Sequence, residues 1–249
     1  MPKCDDVTTR ILGLALGCAL ASTPLLARAE GSAGGHLAVT TDYVFRGVSQ
    51  TRGAAALQSD LHYAGASGWF LGAWVSTVDL NSGPGATVEL DAYGGRSWPV
   101  APSWNARLLA IHYAYPNDTA FLRYDYDELA ASLSFRDRLT ASVTWSPNTS
   151  RYSRYRVARD RTALAYDLVG RWPIAGPLSL AGGVGYYDLD DLFDTGYGYW
   201  SASLVWALPR LQLEFGSYSA TGRAAKLFGH ETTGQRWSLT ATWSFQTLH

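Results

Sequence analysis

Residues 139–146 read Leu-Thr-Ala-Ser-Val-Thr-Trp-Ser, an unbroken alternation of apolar and hydroxyl-bearing side chains. Because successive side chains of a β-strand point to opposite faces of a sheet, this stretch predicts a strand with one apolar and one polar face. The same alternation recurs from about residue 35 to residue 245, with turn residues between the stretches. The predicted strands cover residues 35–46, 54–65, 68–78, 86–97, 104–115, 127–136, 138–147, 161–172, 177–187, 197–208, 210–219 and 234–245.

The connections between these strands form a short set and a long set, which alternate along the chain. The short connections are residues 66–67, 97–103, 137, 173–176 and 209, and the long ones are residues 47–53, 79–85, 116–126, 148–160, 188–196 and 220–233. Strands long enough to cross a bilayer, with short turns on one side and longer loops on the other, are typical of outer-membrane barrels. We therefore predict an all-β fold, a transmembrane antiparallel β-barrel of about twelve strands. A soluble β-sandwich, whose strands also alternate, is the alternative.

The N-terminus has the pattern of a secretory signal. An apolar run at residues 11–26 follows Lys3 and Arg10, and Ala27-Arg28-Ala29 matches the small-x-small cleavage rule. We expect a cleaved signal peptide at residues 1–29 and an outer-membrane β-barrel at residues 30–249, exported to the outer membrane of a Gram-negative bacterium. A lipoprotein anchored through Cys18 is the weaker alternative.

Composition excludes several classes of protein. Both cysteines, Cys4 and Cys18, lie in the predicted signal, so the mature chain has neither a disulfide nor a thiol ligand. The formal net charge of −1 shows no basic excess of the kind that nucleic-acid binding needs. No segment after the signal approaches 18 consecutive apolar residues, which argues against a helical membrane protein.

The parity of the strands assigns one face to lipid and the other to the barrel interior. A charged side chain in hydrocarbon costs about 2–4 kcal/mol at the bilayer midplane, so the charged face is expected to point inward. Apolar residues of the first strand, such as Leu37, Val39, Tyr43 and Phe45, are expected to face lipid. The candidate pore-lining residues on the opposite parity are Asp42, Arg46, Gln58, Asp60, His62, Glu89, Asp91, Glu128, Asp167, Glu214 and Arg236. We expect the carboxylates either to line a pore and favour cations or to pair with arginines such as Arg46 and Arg236 and fill the lumen. Arg107 shares a face with Leu109, Ile111 and Tyr113, and its direction stays unassigned.

Aromatic residues gather near the strand ends, where amphipathic rings suit the level of the lipid headgroups. The predicted periplasmic girdle is Trp104, Trp172, Trp206, Trp243 and Phe245, and the predicted outer girdle is Tyr113, Trp145, Tyr186, Trp200, Phe215 and Trp237.

Residues 40–51 read Thr-Thr-Asp-Tyr-Val-Phe-Arg-Gly-Val-Ser-Gln-Thr, and Ala56-Leu57-Gln58 follows. This segment resembles the N-terminal signature of the TorF-like porin family of proteobacteria, formerly a family of unknown function. The resemblance implies an outer-membrane barrel, suggests a porin, and brings no catalytic residues and no settled substrate. We interpret the segment as strand, turn and strand, with Gly47 starting the turn.

Two predicted outer loops carry opposite charges. The basic loop holds Arg151, Arg154, Arg156, Arg159 and Arg161, whose guanidinium forks suit phosphate groups such as those of lipopolysaccharide. An anion-attracting vestibule and a simply solvated loop are the alternatives. The next loop holds Asp188, Asp190, Asp191 and Asp194. Their spacing fits no standard Ca²⁺ loop, so we expect them either to pair with those arginines or to be simply exposed.

These patterns predict an outer-membrane porin-like channel for passive diffusion of small solutes or ions. A non-conducting structural or surface-interaction barrel is the first alternative. A rim lipid hydrolase using His230 with Ser217 or Ser219 is the second, although no catalytic motif marks it. We expect no enzyme activity, no cofactor and no metal. The expected partners are outer-membrane lipid and lipopolysaccharide, the barrel-insertion machinery and small solutes.

Overall fold

The computed structural model describes residues 31–80, 87–116, 124–152 and 157–246. Within them the chain forms a closed antiparallel barrel of twelve strands and a separate two-stranded hairpin. The barrel strands are β1 (Ser32–Thr40), β4 (Ala56–Ala64), β5 (Trp69–Thr77), β6 (Val88–Ala101), β7 (Trp104–Ala114), β8 (Tyr126–Phe135), β9 (Leu139–Tyr152), β10 (Val157–Ala175), β11 (Leu178–Asp188), β12 (Gly196–Ala207), β13 (Leu211–Ala220) and β14 (Arg236–Gln246). The hairpin consists of β2 (Val44–Phe45) and β3 (Val48–Ser49).

Closure comes from the pairing of the first barrel strand with the last. Strand β1 pairs with β14 from Gly34↔Gln246 to Thr40↔Thr240, and with β4 on its other side from Ser32↔Ala64 to Thr40↔Ala56. Every other barrel strand pairs with its neighbours in barrel order. A closed barrel leaves no edge strand, so the backbone groups of the strands are bonded to one another, as hydrocarbon requires.

The outer surface is apolar and the interior is polar, as the alternation predicts. On β9, Val143 is 44% exposed on the outside, while Thr144 is 8% exposed and points inward. Leu37 and Val39 of β1 are likewise about half exposed. Acidic residues on the opposite parity, such as Asp60 and Glu128, are buried. The exposed apolar side chains form a surface suited to lipid rather than to water.

The two ends of the barrel differ. Short connections join the strands at one end, the turn end, where for example only Arg136, Asp137 and Arg138 separate β8 from β9. The other end, the loop end, carries the longer connections and two short helices, α1 (Asp190–Phe193) and α2 (Gly222–Phe228). No helix in the described part of the chain is long and apolar enough to cross a membrane.

The first predicted strand, residues 35–46, extends six residues beyond the end of β1. Strand β1 ends at Thr40, where Thr41 exchanges hydrogen bonds with Leu239 of β14 and the Thr40 hydroxyl donates to the Asp42 carbonyl oxygen. These bonds hold the end of β1 in the barrel wall, and the residues that follow turn away from the wall into the interior. The expectation that Tyr43 and Phe45 face lipid is therefore wrong, because both lie inside the barrel, Tyr43 with 5% exposure.

Two further expectations need correction. Tyr113, a member of the predicted outer girdle, is buried inside the barrel, because the apolar residues of β7 at the loop end point inward. The loop predicted at residues 148–160 is largely strand, since β9 continues to Tyr152 and β10 begins at Val157.

Candidate functional site

The connection between β1 and β4 folds into the barrel rather than away from it. We call residues 41–55 the inner hairpin; its two strands are β2 and β3. Phe45 pairs with Val48, so Arg46 and Gly47 form the two-residue turn. Their φ angles of 47° and 76° match a type I′ turn, the geometry that continues the right-handed twist of a short hairpin.

A network of polar contacts around Asp42 fixes the base of the inner hairpin. The Asp42 carboxylate accepts hydrogen bonds from the hydroxyls of Ser49 and Thr51 and lies 3.1 Å from Nε of Arg236 on β14. The Ser238 hydroxyl donates to the Asp42 carbonyl oxygen at 2.9 Å. Because the carboxylate joins both arms of the hairpin to β14, Asp42 sets the direction in which the hairpin enters the barrel.

The tip of the inner hairpin is held against strands that are distant from β1 and β4 in the barrel. Arg46 donates to Glu128 of β8 through both terminal nitrogens, with Nη1–Oε1 at 2.8 Å and Nη2–Oε2 at 3.2 Å. Its guanidinium carbon lies 4.5 Å from the ring centroids of Phe45 and of Tyr187 on β11. Tyr113 also donates to Glu128, at 3.1 Å. Two charge-assisted hydrogen bonds and two aromatic faces make this the best-held contact of the hairpin.

Gly47 brings the hairpin backbone against β12 and β13. A Cβ at this position would lie 2.8 Å from the Ser219 carbonyl oxygen and 3.0 Å from the Cβ atoms of Tyr199 and Ala220. Only glycine allows both this close approach and the positive φ angle. The inner hairpin therefore contacts the wall on several sides of the barrel and narrows the lumen at the loop end.

Apolar side chains complete the packing around the hairpin. Tyr43 packs into a cluster with Trp74, Ile111 and Tyr113, and its hydroxyl donates to Glu89 at 3.3 Å. Val48 packs into a second cluster with Leu189 and Leu192 near α1, with Tyr197 and Tyr199 of β12, and with Ala224 of α2. The loop end of the interior is therefore partly filled by aromatic side chains as well as by charged ones.

A second polar group lies deeper in the barrel. Asp60 of β4 is hydrogen-bonded to Nδ1 of His62 at 2.6 Å and accepts from the Tyr93 hydroxyl at 2.6 Å. Nδ1 of His36 on β1 lies 3.7 Å from the same carboxylate. Nearer the turn end, the guanidinium of Arg107 lies 4.1 Å from the ring centroid of Phe70.

Each of the candidate pore-lining residues lies inside the barrel, buried or half-buried. Asp167 accepts from the Tyr199 hydroxyl at 2.6 Å, Glu214 accepts from the Tyr218 hydroxyl at 3.4 Å, and Gln58 donates to Ser76 at 3.4 Å. Whether these residues line a conducting pore stays a prediction.

The sequence left the direction of Arg107 open, and sequence reasoning did not identify Arg171 as an interior residue. Arg107 points inward from β7, and Arg171 points inward from β10, where it donates to Gln212 at 3.4 Å. Arg171 lies on the same face of β10 as Asp167. The alternation along this strand could therefore have identified Arg171 as an interior residue. Among the described strand residues together with Asp42 and Arg46, seven carboxylates point inward against four arginines.

The charged outer loops are described only in part. Arg161 lies 3.5 Å from the Asp191 carboxylate, which also accepts from the backbone N–H of Thr162. This contact joins the basic and acidic loops as expected. Arg154 and Arg156, and the side chains of Arg151 and Arg159, lie outside the described residues.

Among the described residues, no hydrogen bond joins His230 to Ser217 or Ser219. Ser217 is buried and accepts a hydrogen bond from Gln235, while His230 is exposed. A hydrolase needs the histidine within hydrogen-bond reach of the serine, so this geometry gives the hydrolase alternative no support.

A closed antiparallel barrel with an apolar exterior and a charged interior defines the class of the membrane-spanning β-barrels. The chain belongs to the family described as a bacterial protein of unknown function (Gcw_chp), whose model matches residues 29–246. That description does not carry the TorF-like name, and no curated protein matches the sequence.

Two solved porins have a similar fold. The structure of the NanC porin in a rhombohedral crystal form aligns with a TM-score of 0.55 and 11% identity, covering 88% of this chain and 99% of that one. The KdgM porin aligns with a TM-score of 0.50 and 7% identity, covering 86% and 99%. At such low identity the likeness shows the fold alone.

Proposed function

We propose that this protein is an outer-membrane, porin-like channel through which small solutes or ions diffuse passively. The observation that carries the proposal is the contrast between the two faces of the barrel, one apolar toward the outside and one charged toward the inside. Burying charge costs free energy even when the charges are paired, so a charged interior favours a lumen that admits water. Water in the lumen lowers that cost.

The inner hairpin supports a limit on the size of the solute. A barrel of twelve strands is intermediate in width between fully packed small barrels and wide porins. The hairpin takes up part of this width at the loop end, where Arg46 reaches Glu128. The channel that we propose therefore passes ions and small molecules but excludes larger ones.

The remaining parts of the proposal concern place and partners. The resemblance of residues 40–51 favours a TorF-like porin, exported after removal of residues 1–29. The exposed apolar belt is proposed to contact outer-membrane lipid, and the arginines of residues 151–161 are proposed to contact lipopolysaccharide phosphate. The insertion machinery is proposed to recognise the last strand, β14.

A non-conducting structural barrel is the second candidate, and one observation favours it. The aromatic clusters around Tyr43 and Val48 fill the loop end with apolar side chains. If these clusters close the lumen completely, the barrel serves as an anchored surface protein.

Liposome swelling separates the two candidates. We expect vesicles containing the folded protein to swell in solutions of small sugars and amino acids, at a rate that falls steeply with solute size. Vesicles with the same amount of heat-unfolded protein are the control. Equal swelling of both preparations would favour the structural barrel.

A further inference from the structure

Arg46 occupies a position at which most residues other than Asn, Asp and Gly are unfavourable. The first residue of a type I′ turn needs a positive φ angle, and Asn, Asp or Gly is preferred there. Arg46 has φ 47°. A left-handed conformation at a non-glycine residue costs free energy, because Cβ approaches the following carbonyl oxygen. A strained residue of this kind persists where the surrounding contacts hold it, and it is a reason to ask what its side chain does.

The side chain of Arg46 lies in surroundings that recognise a cation. Glu128 supplies a bidentate carboxylate, the Tyr187 ring lies over one face of the guanidinium, and the Tyr113 hydroxyl orients the carboxylate. A planar cation on a carboxylate and under an aromatic face is the geometry by which proteins bind guanidinium and substituted ammonium groups.

The binding groups and their occupant belong to different parts of the chain. Glu128, Tyr113 and Tyr187 lie on the rigid strands β8, β7 and β11, whereas Arg46 lies on the inner hairpin. Phe45 belongs to the hairpin and moves with Arg46. If the tip of the hairpin withdraws, the carboxylate and the aromatic face stay in the wall, with Asp167 and its partner Tyr199 also on the wall.

We propose that Glu128, Tyr113 and Tyr187 form a binding site for small solutes that carry a guanidinium or an ammonium group, and that Arg46 occupies this site as an internal ligand when the hairpin is folded in. The proposal rests on the proposed channel function, because it names the class of solute that would compete for the narrow part of the lumen. A tethered ligand has a high effective concentration, so a free solute binds weakly until Arg46 is displaced or removed.

The test uses ethylguanidinium chloride as the probe and the folded protein in detergent. Saturation-transfer NMR of the ethyl protons measures weak binding directly. We expect Arg46→Ala to bind ethylguanidinium at least tenfold more tightly than the wild type. Ethylurea, which is planar and neutral, should not bind, and sodium chloride at the same ionic strength should not displace the probe.

Two double variants locate the site. Arg46→Ala with Glu128→Gln should lose the binding that Arg46→Ala gains, whereas Arg46→Ala with Glu214→Gln, which changes an interior carboxylate on another strand, should keep it. Equal binding by the two double variants, or binding of ethylurea as well as of ethylguanidinium, would overturn the proposal. If Arg46→Ala does not fold, replacement of residues 41–55 by a two-residue turn vacates the same site and takes its place.

This experiment does not depend on conduction. Binding that requires Glu128 in a protein that passes no solute would contradict the channel and leave the site standing. Conduction with no Glu128-dependent binding would contradict the site and leave the channel standing.

Discussion

At the scale of single residues, strand β7 presents apolar side chains to the interior of the barrel, where the other strands present mainly polar ones. Leu109, Ile111 and Tyr113 point inward with Arg107, which is why the hydrophobic pattern of this strand gave no clear answer. The alternation of apolar and polar residues identifies the inward face of a strand only where the interior of the barrel is polar. At the loop end, the interior is filled by the apolar residues that pack around Tyr43, and the sequence of β7 alone does not contain that partner.

Val143 and Thr144 test the assignment of the two faces. Val143 lies on the outside of β9, and Thr144 points inward between the small residues Ala130 and Ala165. Val143→Arg should destabilise the inserted barrel by about 2–4 kcal/mol if it lies near the midplane, because an arginine there enters hydrocarbon. Thr144→Arg should be tolerated. The folded fraction in lipid vesicles, measured in a urea titration, reports the difference, and equal effects of the two substitutions would argue against the assigned faces.

The base of the inner hairpin gives a second prediction at this scale. Asp42→Asn keeps the shape of the side chain but removes its negative charge. This charge faces Arg236, and the carboxylate that carries it accepts hydrogen bonds from the hydroxyls of Ser49 and Thr51. Charge-assisted hydrogen bonds within a protein contribute about 1.5–3 kcal/mol each, so we expect the hairpin to loosen. Protease cleavage within residues 41–55 should become faster, while the control variant Asp137→Asn, at a turn-end connection, should be cleaved like the wild type. Unchanged cleavage of Asp42→Asn would contradict the role of Asp42.

At the scale of elements, the strands were predictable and the inner hairpin was not. Tyr43 and Phe45 continue the alternation of β1, so the sequence predicts that residues 41–46 extend this strand. The direction of the hairpin depends instead on long-range contacts, above all Arg46 with Glu128, which are 82 residues apart. Gly47 predicted the turn correctly. A glycine does not indicate, however, whether the turn lies inside or outside the barrel.

Replacing the inner hairpin tests its effect on the lumen. Thr40 and Ala56 are paired across β1 and β4, so an Asn-Gly turn can join the strands in place of residues 41–55 without stretching the barrel. We expect a larger conductance and a higher size limit for solutes, because the element that narrows the loop end is gone. The variant Ala54→Ser with Ala55→Ser, which changes only exposed residues of the same connection, should behave like the wild type. A hairpin-free barrel with wild-type conductance would show that the narrowest passage lies elsewhere.

At the scale of the whole molecule, the number and order of strands followed from the sequence because a closed membrane barrel repeats one simple rule. Each strand must cross the bilayer, alternate in polarity and pair with its neighbours. The twelve predicted barrel strands are confirmed. Short connections alternate with longer ones as predicted, except that only four residues separate β9 from β10. The packing inside the lumen follows no such repeat, since it depends on which side chains meet from opposite walls.

The processed N-terminus is a prediction that rests on sequence, since residues 1–30 lie outside the described residues. Cleavage after Ala29 should leave Glu30 as the first residue of the protein isolated from membranes. N-terminal sequencing would show this directly. A lipid-modified Cys18 at the start would support the lipoprotein alternative instead.

The charge of the lumen predicts ion selectivity. Seven inward carboxylates against four arginines, counted over the described strand residues with Asp42 and Arg46, favour cations, and Arg107 and Arg171 make the preference weaker than the sequence alone indicates. We expect a modest cation preference that declines as salt screens the charges. Glu89→Gln with Asp91→Asn should reduce it, as measured by reversal potentials in a salt gradient. Anion preference of the wild type would reject the assignment.

The central claim is that the barrel conducts, and single-channel recording in a planar lipid bilayer tests it most directly. The account predicts discrete, reproducible current steps after insertion of the purified folded protein, smaller than those of the variant without the inner hairpin. The absence of current steps from protein shown to be folded and inserted would contradict the account and leave the structural barrel as the better description.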